Sequence, residues 1–107
     1  MLGSVVKVIV DRPMGSCHPE YPELYYPINY GYIDGVIAED GEEQDAYILG
    51  VDKSATEFVG RVIAVIHRKN DVEDKLVVVP DGTFFSKEQI AAFTYFQEQY
   101  FDTDIKM

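Results

Sequence analysis

The stretch YPINYGYIDGVIAEDGEEQD, residues 26–45, decides the fold. Its first half is rich in aromatic and β-branched residues, which suit a pleated, half-buried strand. Pro27 and Gly31 require an edge, a bulge or a bend within that strand. The second half is polar from Glu39 to Asp45 and lies between two apolar stretches, Val36–Ala38 and Ala46–Leu49. Asp40-Gly41 is a turn signal, so the whole reads as a β-hairpin carrying Asp40, Glu42, Glu43 and Asp45 at or beside its turn.

Working outward, Val5–Val10 is a β-branched run interrupted only by Lys7, and Pro13, Gly15 and Pro19 then punctuate a loop. Downstream, Val59–Ile66 and Leu76–Val79 read as two buried strands joined by the polar stretch His67–Lys75, which makes a second hairpin. Ser86 followed three residues later by Gln89 is a capping-box signature. Ile90, Phe93, Phe96 and Tyr100 follow at helical spacing, so one helix is expected to close the chain on that face. Five strands with Gly and Pro punctuation, one terminal helix and no long crossover helices predict a mainly β (α+β) domain over residues 1–107, built as a small closed barrel.

Composition narrows the function. With 9 Lys and Arg against 19 Asp and Glu, the net charge of -10 would repel a nucleic-acid backbone. An acidic chain can still bind a phosphate anion if divalent cations bind first, because the metal is then the largest local charge. Cys17 is the only cysteine and cannot form an intrachain disulfide, so a cytoplasmic setting is expected. No apolar run approaches the roughly 18 residues of a membrane span, and no signal segment is expected at the N-terminus.

The carboxylates of the turn are hard oxygen donors, the type that holds magnesium or manganese. In extended backbone, positions 40 and 42 point to one side. Taken alone, such a run is more often a solvated acidic turn than a metal site. His18 sits in the loop after the first strand, where it can offer a donor to an anion, although a surface loop histidine is the commoner reading. His67 reads as a half-buried strand end. Cys17 has no activating cation beside it except His18, which argues against a nucleophile.

Tyr26–Asp45 closely resembles the soluble (family I) inorganic pyrophosphatases, in which a Tyr-Pro-x-Asn-Tyr-Gly-Tyr-Ile stretch leads into an Asp-Gly-Asp-Pro-x-Asp metal loop. VEDKLVVVP, Val72–Pro80, resembles that family's acidic-x-Lys-Leu-Val-x-Val-Pro strand, and FQEQY, Phe96–Tyr100, resembles its tyrosine-bearing helix more weakly. The resemblance implies an OB-like five-stranded barrel and magnesium-dependent hydrolysis of a small diphosphate, with manganese as a substitute. It implies metal ligands at Asp40, Glu42, Asp45 and Glu73, with Asp71 as a stand-in for a further aspartate. Glu42 would be the base for the attacking water, and Tyr30, Lys75 and Tyr100 would hold phosphate. A homo-oligomer is a further implication, with the tyrosine-rich surface available as its interface.

The departures from the family pattern are also specific. No Lys or Arg occurs from Pro13 to Asp52, so the family's cation-bearing hairpin ahead of the tyrosine stretch is expected to be deleted together with its two phosphate clamps. Phe101 replaces the lysine after the helix tyrosine. Clamps matter because phosphoryl transfer is accelerated chiefly by positioning and charge neutralisation. Two other functions are therefore carried beside hydrolysis of inorganic pyrophosphate: a non-hydrolytic phosphate- or nucleotide-binding module, and a hydrolase of another, bulkier diphosphate.

Overall fold

The computed structural model describes residues 1–70 and 73–107. In chain order the elements are β1 (Val5–Arg12), β2 (Tyr30–Ile37), β3 (Glu43–Ile48), β4 (Glu57–Arg68), β5 (Asp74–Val79), α1 (Lys87–Glu98) and β6 (Thr103–Lys106). The strands form one sheet in the order β1-β2-β3-β5-β4-β6, and a further β1–β4 pairing closes the first five into the expected OB-like barrel. All pairings are antiparallel except β3–β5, where Ala46, Tyr47 and Ile48 face Leu76, Val77 and Val78 in parallel register.

Closure depends on β4, the longest strand at 12 residues. Its first half pairs with β1, from Val5↔Arg61 to Ile9↔Glu57. Its second half pairs with β5 on one side and β6 on the other. Gly60 lies within this strand, where a Cβ would come 2.4 Å from the Val79 carbonyl oxygen. Gly31 is tighter still, since a Cβ there would fall 1.9 Å from the Ile9 carbonyl oxygen. That close approach of β2 to β1 accounts for the glycine within the aromatic stretch, next to a register irregularity between Val10 and Arg12.

Two cores follow from strand alternation. Val6, Val8, Ile33, Ala46, Ile48, Val62, Leu76 and Val78 fill the barrel. Ile28, Tyr47, Leu49, Ala64, Ile66, Val77, Val79 and Ile90 pack between the barrel wall and α1. Both faces of β5 are thus covered, which explains a continuous apolar run in place of alternation. Full burial of each such aliphatic side chain contributes about 1.5–3 kcal/mol. Plain alternation would put Val62 and Ala64 on one face, but a register irregularity between them turns β4 over. Ala64, Ile66 and then Arg68 therefore share the helix side of the sheet.

The helix begins as the sequence predicts. Gln89 N donates to Ser86 Oγ at 3.1 Å and Ser86 N to Gln89 Oε1 at 2.9 Å, a complete capping box. Of the expected face Ile90 is buried and Phe96 packs against the same core, but Phe93 is 45% exposed, and Thr94 and Glu98 complete the buried series at steps of four from Ile90. Tyr100 lies beyond the helix and is 69% exposed. The chain then continues into β6, a short edge strand absent from the sequence reading, because four residues patterned TDIK carry too weak an alternation to register.

The loop between β1 and β2 folds on itself as a short ladder: Gly15 N donates to the Tyr26 carbonyl, Tyr26 N to Ser16 and His18 N to Leu24, and Cys17 bridges Tyr25. This short ladder carries no Lys or Arg.

Candidate active site

β2, β3, β4 and β5 present their helix-side residues beyond the end of α1. Alternation along β3 puts Asp45 on the face of Tyr47 and Leu49, and along β5 it puts Lys75 on the face of Val77 and Val79. Tyr30 opens β2 beside Tyr47, with ring centroids 4.9 Å apart. Of these side chains Tyr30 and Lys75 border a cavity of about 490 Å³, together with Arg68 and Gln97, and His18, Tyr21, Tyr100 and Phe101 complete its lining.

At its floor Lys75 is 3% exposed. Its Nζ donates to Asp45 Oδ2 and to Glu73 Oε1, each at 2.5 Å, and lies 5.7 Å from the Tyr30 ring centroid. Arg68 Nη1 reaches the other oxygen of Glu73 at 3.2 Å. Its Nε and Nη2 grip Glu98 at 3.0 and 2.8 Å, and Phe101 covers the guanidinium at 3.6 Å. Glu98 Oε2 also accepts from Tyr47 Oη at 2.5 Å, Tyr47 Oη accepts from Gln97 at 2.7 Å, and Gln97 Oε1 accepts from Tyr26 Oη at 2.9 Å. A continuous polar chain thus runs from Asp45 through Lys75, Glu73, Arg68, Glu98, Tyr47 and Gln97 to Tyr26.

Burial pushes the Tyr30 phenol well above its ordinary value, and the hydrogen-bonded Asp45 carboxylate adds to the rise. Tyr47 is raised by burial and then by Glu98. Both therefore act as neutral donors. Burial alone would lower Arg68, but its bonds to Glu98 outweigh that and hold the guanidinium above its ordinary value.

The structure brings together only part of the expected site. Tyr30, Lys75 and Tyr100 all border the cavity, and Asp45 and Glu73 flank Lys75. Asp40 and Glu42 do not border it. They stand exposed on the turn, where Asp40 Oδ1 accepts the Glu42 amide at 3.0 Å and Gly41 takes a positive φ of 83°. The turn's own hydrogen bonds use the nearest carboxylate, the usual role of an Asp before Gly. Asp71 lies outside the described residues.

Among the described residues, a resident magnesium or manganese has no matching donor set in this arrangement. Among the described residues no three of His, Cys, Asp and Glu are grouped to hold a metal ion. The two carboxylates beside Lys75, Asp45 and Glu73, are already bridged by its ammonium, and Glu73 is shared with Arg68.

His67 Nδ1 lies 2.7 Å from Asp74 Oδ1, both being register neighbours on β4 and β5 and outside the cavity lining, which agrees with a strand-end role. His18 does reach the cavity. Its Nδ1 accepts the amides of Glu20 and Tyr21 at 3.0 and 3.3 Å, which leaves Nε2 as the donor of the neutral ring.

Sequence reasoning missed Arg68, Glu98, Gln97 and Tyr47. Arg68 was open to discovery, because it ends the inward series Ala64–Ile66 and a buried arginine requires a carboxylate partner.

The fold and the cavity define a small OB-like barrel with a cavity floored by paired charges beside its helix. The inorganic pyrophosphatase family model matches residues 3–103, and the chain belongs to that family. It is 32% identical over 95 residues to the inorganic pyrophosphatase of Haemophilus influenzae, covering 71% of this chain and 54% of that one. To that of Aquifex pyrophilus it is 28% identical over 85 residues, covering 73% and 48%. The chain spans about half the length of these relatives. The fold is shared with the inorganic pyrophosphatase of Ehrlichia chaffeensis, at a TM-score of 0.71 and 22% identity over 99% of this chain and 87% of that one. The corresponding crystal structure from Neisseria gonorrhoeae gives 0.69 and 23%, over 92% and 74%.

Proposed function

We propose that this chain hydrolyses inorganic pyrophosphate to two phosphates, with the diphosphate lying over Lys75 between Tyr30 and Tyr100. The observation that carries the reading is the convergence on the same cavity of Lys75 and Tyr30, the two residues that the motif resemblance implies as phosphate ligands. Lys75 supplies a positive charge in a partly desolvated place, where it acts more strongly than in water. Tyr30 supplies a phenolic proton that burial retains.

Magnesium, or manganese in its place, is proposed to arrive chelated by the diphosphate and thus as part of the substrate. Glu42 is proposed as the base on the resemblance alone. Because it does not border the cavity, that role requires the Ala38–Glu42 turn to move toward Lys75 when substrate binds. A cytoplasmic setting and self-association belong to the same proposal, and the acidic charge supports a small anion over nucleic acid as the partner.

The test is phosphate release from magnesium pyrophosphate by the purified chain, beside Lys75→Met. Release by wild type and its loss in the variant support the proposal. No release with either metal moves the assignment to a binding module without hydrolysis. That second reading is favoured by one observation, the bridging of Asp45 and Glu73 by Lys75.

A further inference from the structure

The cavity is shaped for more than an inorganic anion. At about 490 Å³ it lies in the range that encloses a drug-sized organic molecule. Two of the tyrosines on its rim present much of their rings to water, Tyr21 at 57% exposure and Tyr100 at 69%. Leu24 and Phe101 continue the same apolar wall. An inorganic diphosphate has a surface of oxygen atoms and offers these rings nothing to pack against, whereas a planar base stacked on an aromatic side chain gains about 1–3 kcal/mol.

Charge points the same way. The floor holds two cations, Lys75 and Arg68, but they are shared among Asp45, Glu73 and Glu98, and Glu23 adds a further carboxylate to the lining. Chelated by one magnesium ion, a fully ionised inorganic diphosphate still keeps negative charge, and the floor has no net positive charge of its own to meet it. Esterification removes negative charge from the ligand. The segment that faces the outer part of the cavity carries His18 with a neutral Nε2 donor and no Lys or Arg, which suits an esterified phosphate better than a terminal dianion.

We infer that the preferred ligand of this site is a diphosphate ester bearing a planar aromatic base, a nucleoside diphosphate or a nucleotide diester, with the diphosphate over Lys75 and the base against Tyr21 and Tyr100. The inference rests on the proposed diphosphate site and extends its ligands beyond inorganic pyrophosphate, which becomes the weaker one.

Calorimetric titration of the full chain in magnesium buffer with adenosine diphosphate, uridine diphosphate and pyrophosphate tests it, with Tyr21→Ala alongside. Tyr21 is exposed, so its removal leaves the fold intact, and thermal unfolding verifies this. The expected result is at least about tenfold tighter binding of one nucleoside diphosphate than of pyrophosphate, with that preference reduced about tenfold in Tyr21→Ala. Equal or tighter binding of pyrophosphate, a preference unchanged in Tyr21→Ala, or binding of none of the three would overturn the inference. Phosphate release from pyrophosphate without ester preference leaves the proposed hydrolysis standing alone. Ester binding without any release from pyrophosphate leaves the ligand class standing alone.

Discussion

Two regions of this molecule hold carboxylates in close company, and they behave oppositely. The β2–β3 turn gathers Asp40, Glu42 and Glu43 within a few residues, all exposed, and among the described residues the one side-chain hydrogen bond there, Asp40 accepting the Glu42 amide, serves the turn itself. The cavity floor gathers Asp45, Glu73 and Glu98 from β3, the β4–β5 connection and α1, and each is bonded to Lys75 or Arg68. Exposed charges are screened by water and salt, so the turn tolerates like charges side by side. Charges at the floor are partly desolvated and persist only because they are paired. Proximity in sequence marked the turn; tertiary packing built the floor.

The comparison breaks most sharply at Glu98. It is 6% exposed and accepts from both Arg68 and Tyr47, so Glu98→Ala leaves the Nε and Nη2 of a buried guanidinium without their carboxylate, with Glu73 still at Nη1. A loss of about 3–5 kcal/mol of unfolding free energy is expected in urea titration. Replacing Arg68 and Glu98 together with methionine should recover much of it, because apolar packing can substitute for a buried ion pair.

Lys75→Met is expected to weaken pyrophosphate binding roughly a hundredfold in calorimetric titration, as truncation of a buried charged contact does. Lys87→Met removes an equal charge from the exposed first turn of α1 and should change affinity little. An equal loss in both would show that only the general field of the protein matters.

The floor also predicts an alkaline limit to stability. Tyr30 and Tyr47 both have folded values raised above the ordinary 10.0. Below pH 10 both states keep the phenolic protons and nothing changes. Above it the unfolded chain releases protons that the folded chain retains, so stability falls as pH rises, by about 1.4 kcal/mol per pH unit for each such tyrosine. Tyr47→Phe should flatten that decline in unfolding measurements between pH 9.5 and about 11. An unchanged slope would mean that Tyr47 ionises as freely in the folded chain as in the unfolded one.

At the turn the expected effect is smallest. Glu42→Gln should alter unfolding free energy by no more than about 0.5 kcal/mol, as for other exposed positions outside special contacts. A larger loss would reveal a partner for Glu42 that the arrangement of the turn does not show. If Glu42 is nevertheless the base, the same variant abolishes phosphate release while leaving stability unchanged.

Much of the fold was legible because its signals are local. The hairpin at Asp40-Gly41, the apolar runs of β4 and β5 and the Ser86–Gln89 capping box each depend on a few neighbouring residues. The helix face was misjudged in part because Phe93 and Tyr100 are large and apolar, whereas the face that packs carries Thr94 and Glu98, polar residues buried by partners distant in sequence. Lys75 and Tyr30 were legible through the resemblance. The roles of Arg68 and Glu98 were not, since 30 residues separate them and no periodicity links the two.

The central claim, that a diphosphate sits over the paired floor and not at the acidic turn, is tested most directly by amide chemical shifts of the labelled chain on adding pyrophosphate in magnesium buffer. The account predicts that the largest changes fall at Tyr30, Arg68, Lys75 and Tyr100. Changes confined to Asp40–Glu43, with Lys75 and Tyr30 unmoved, would contradict it.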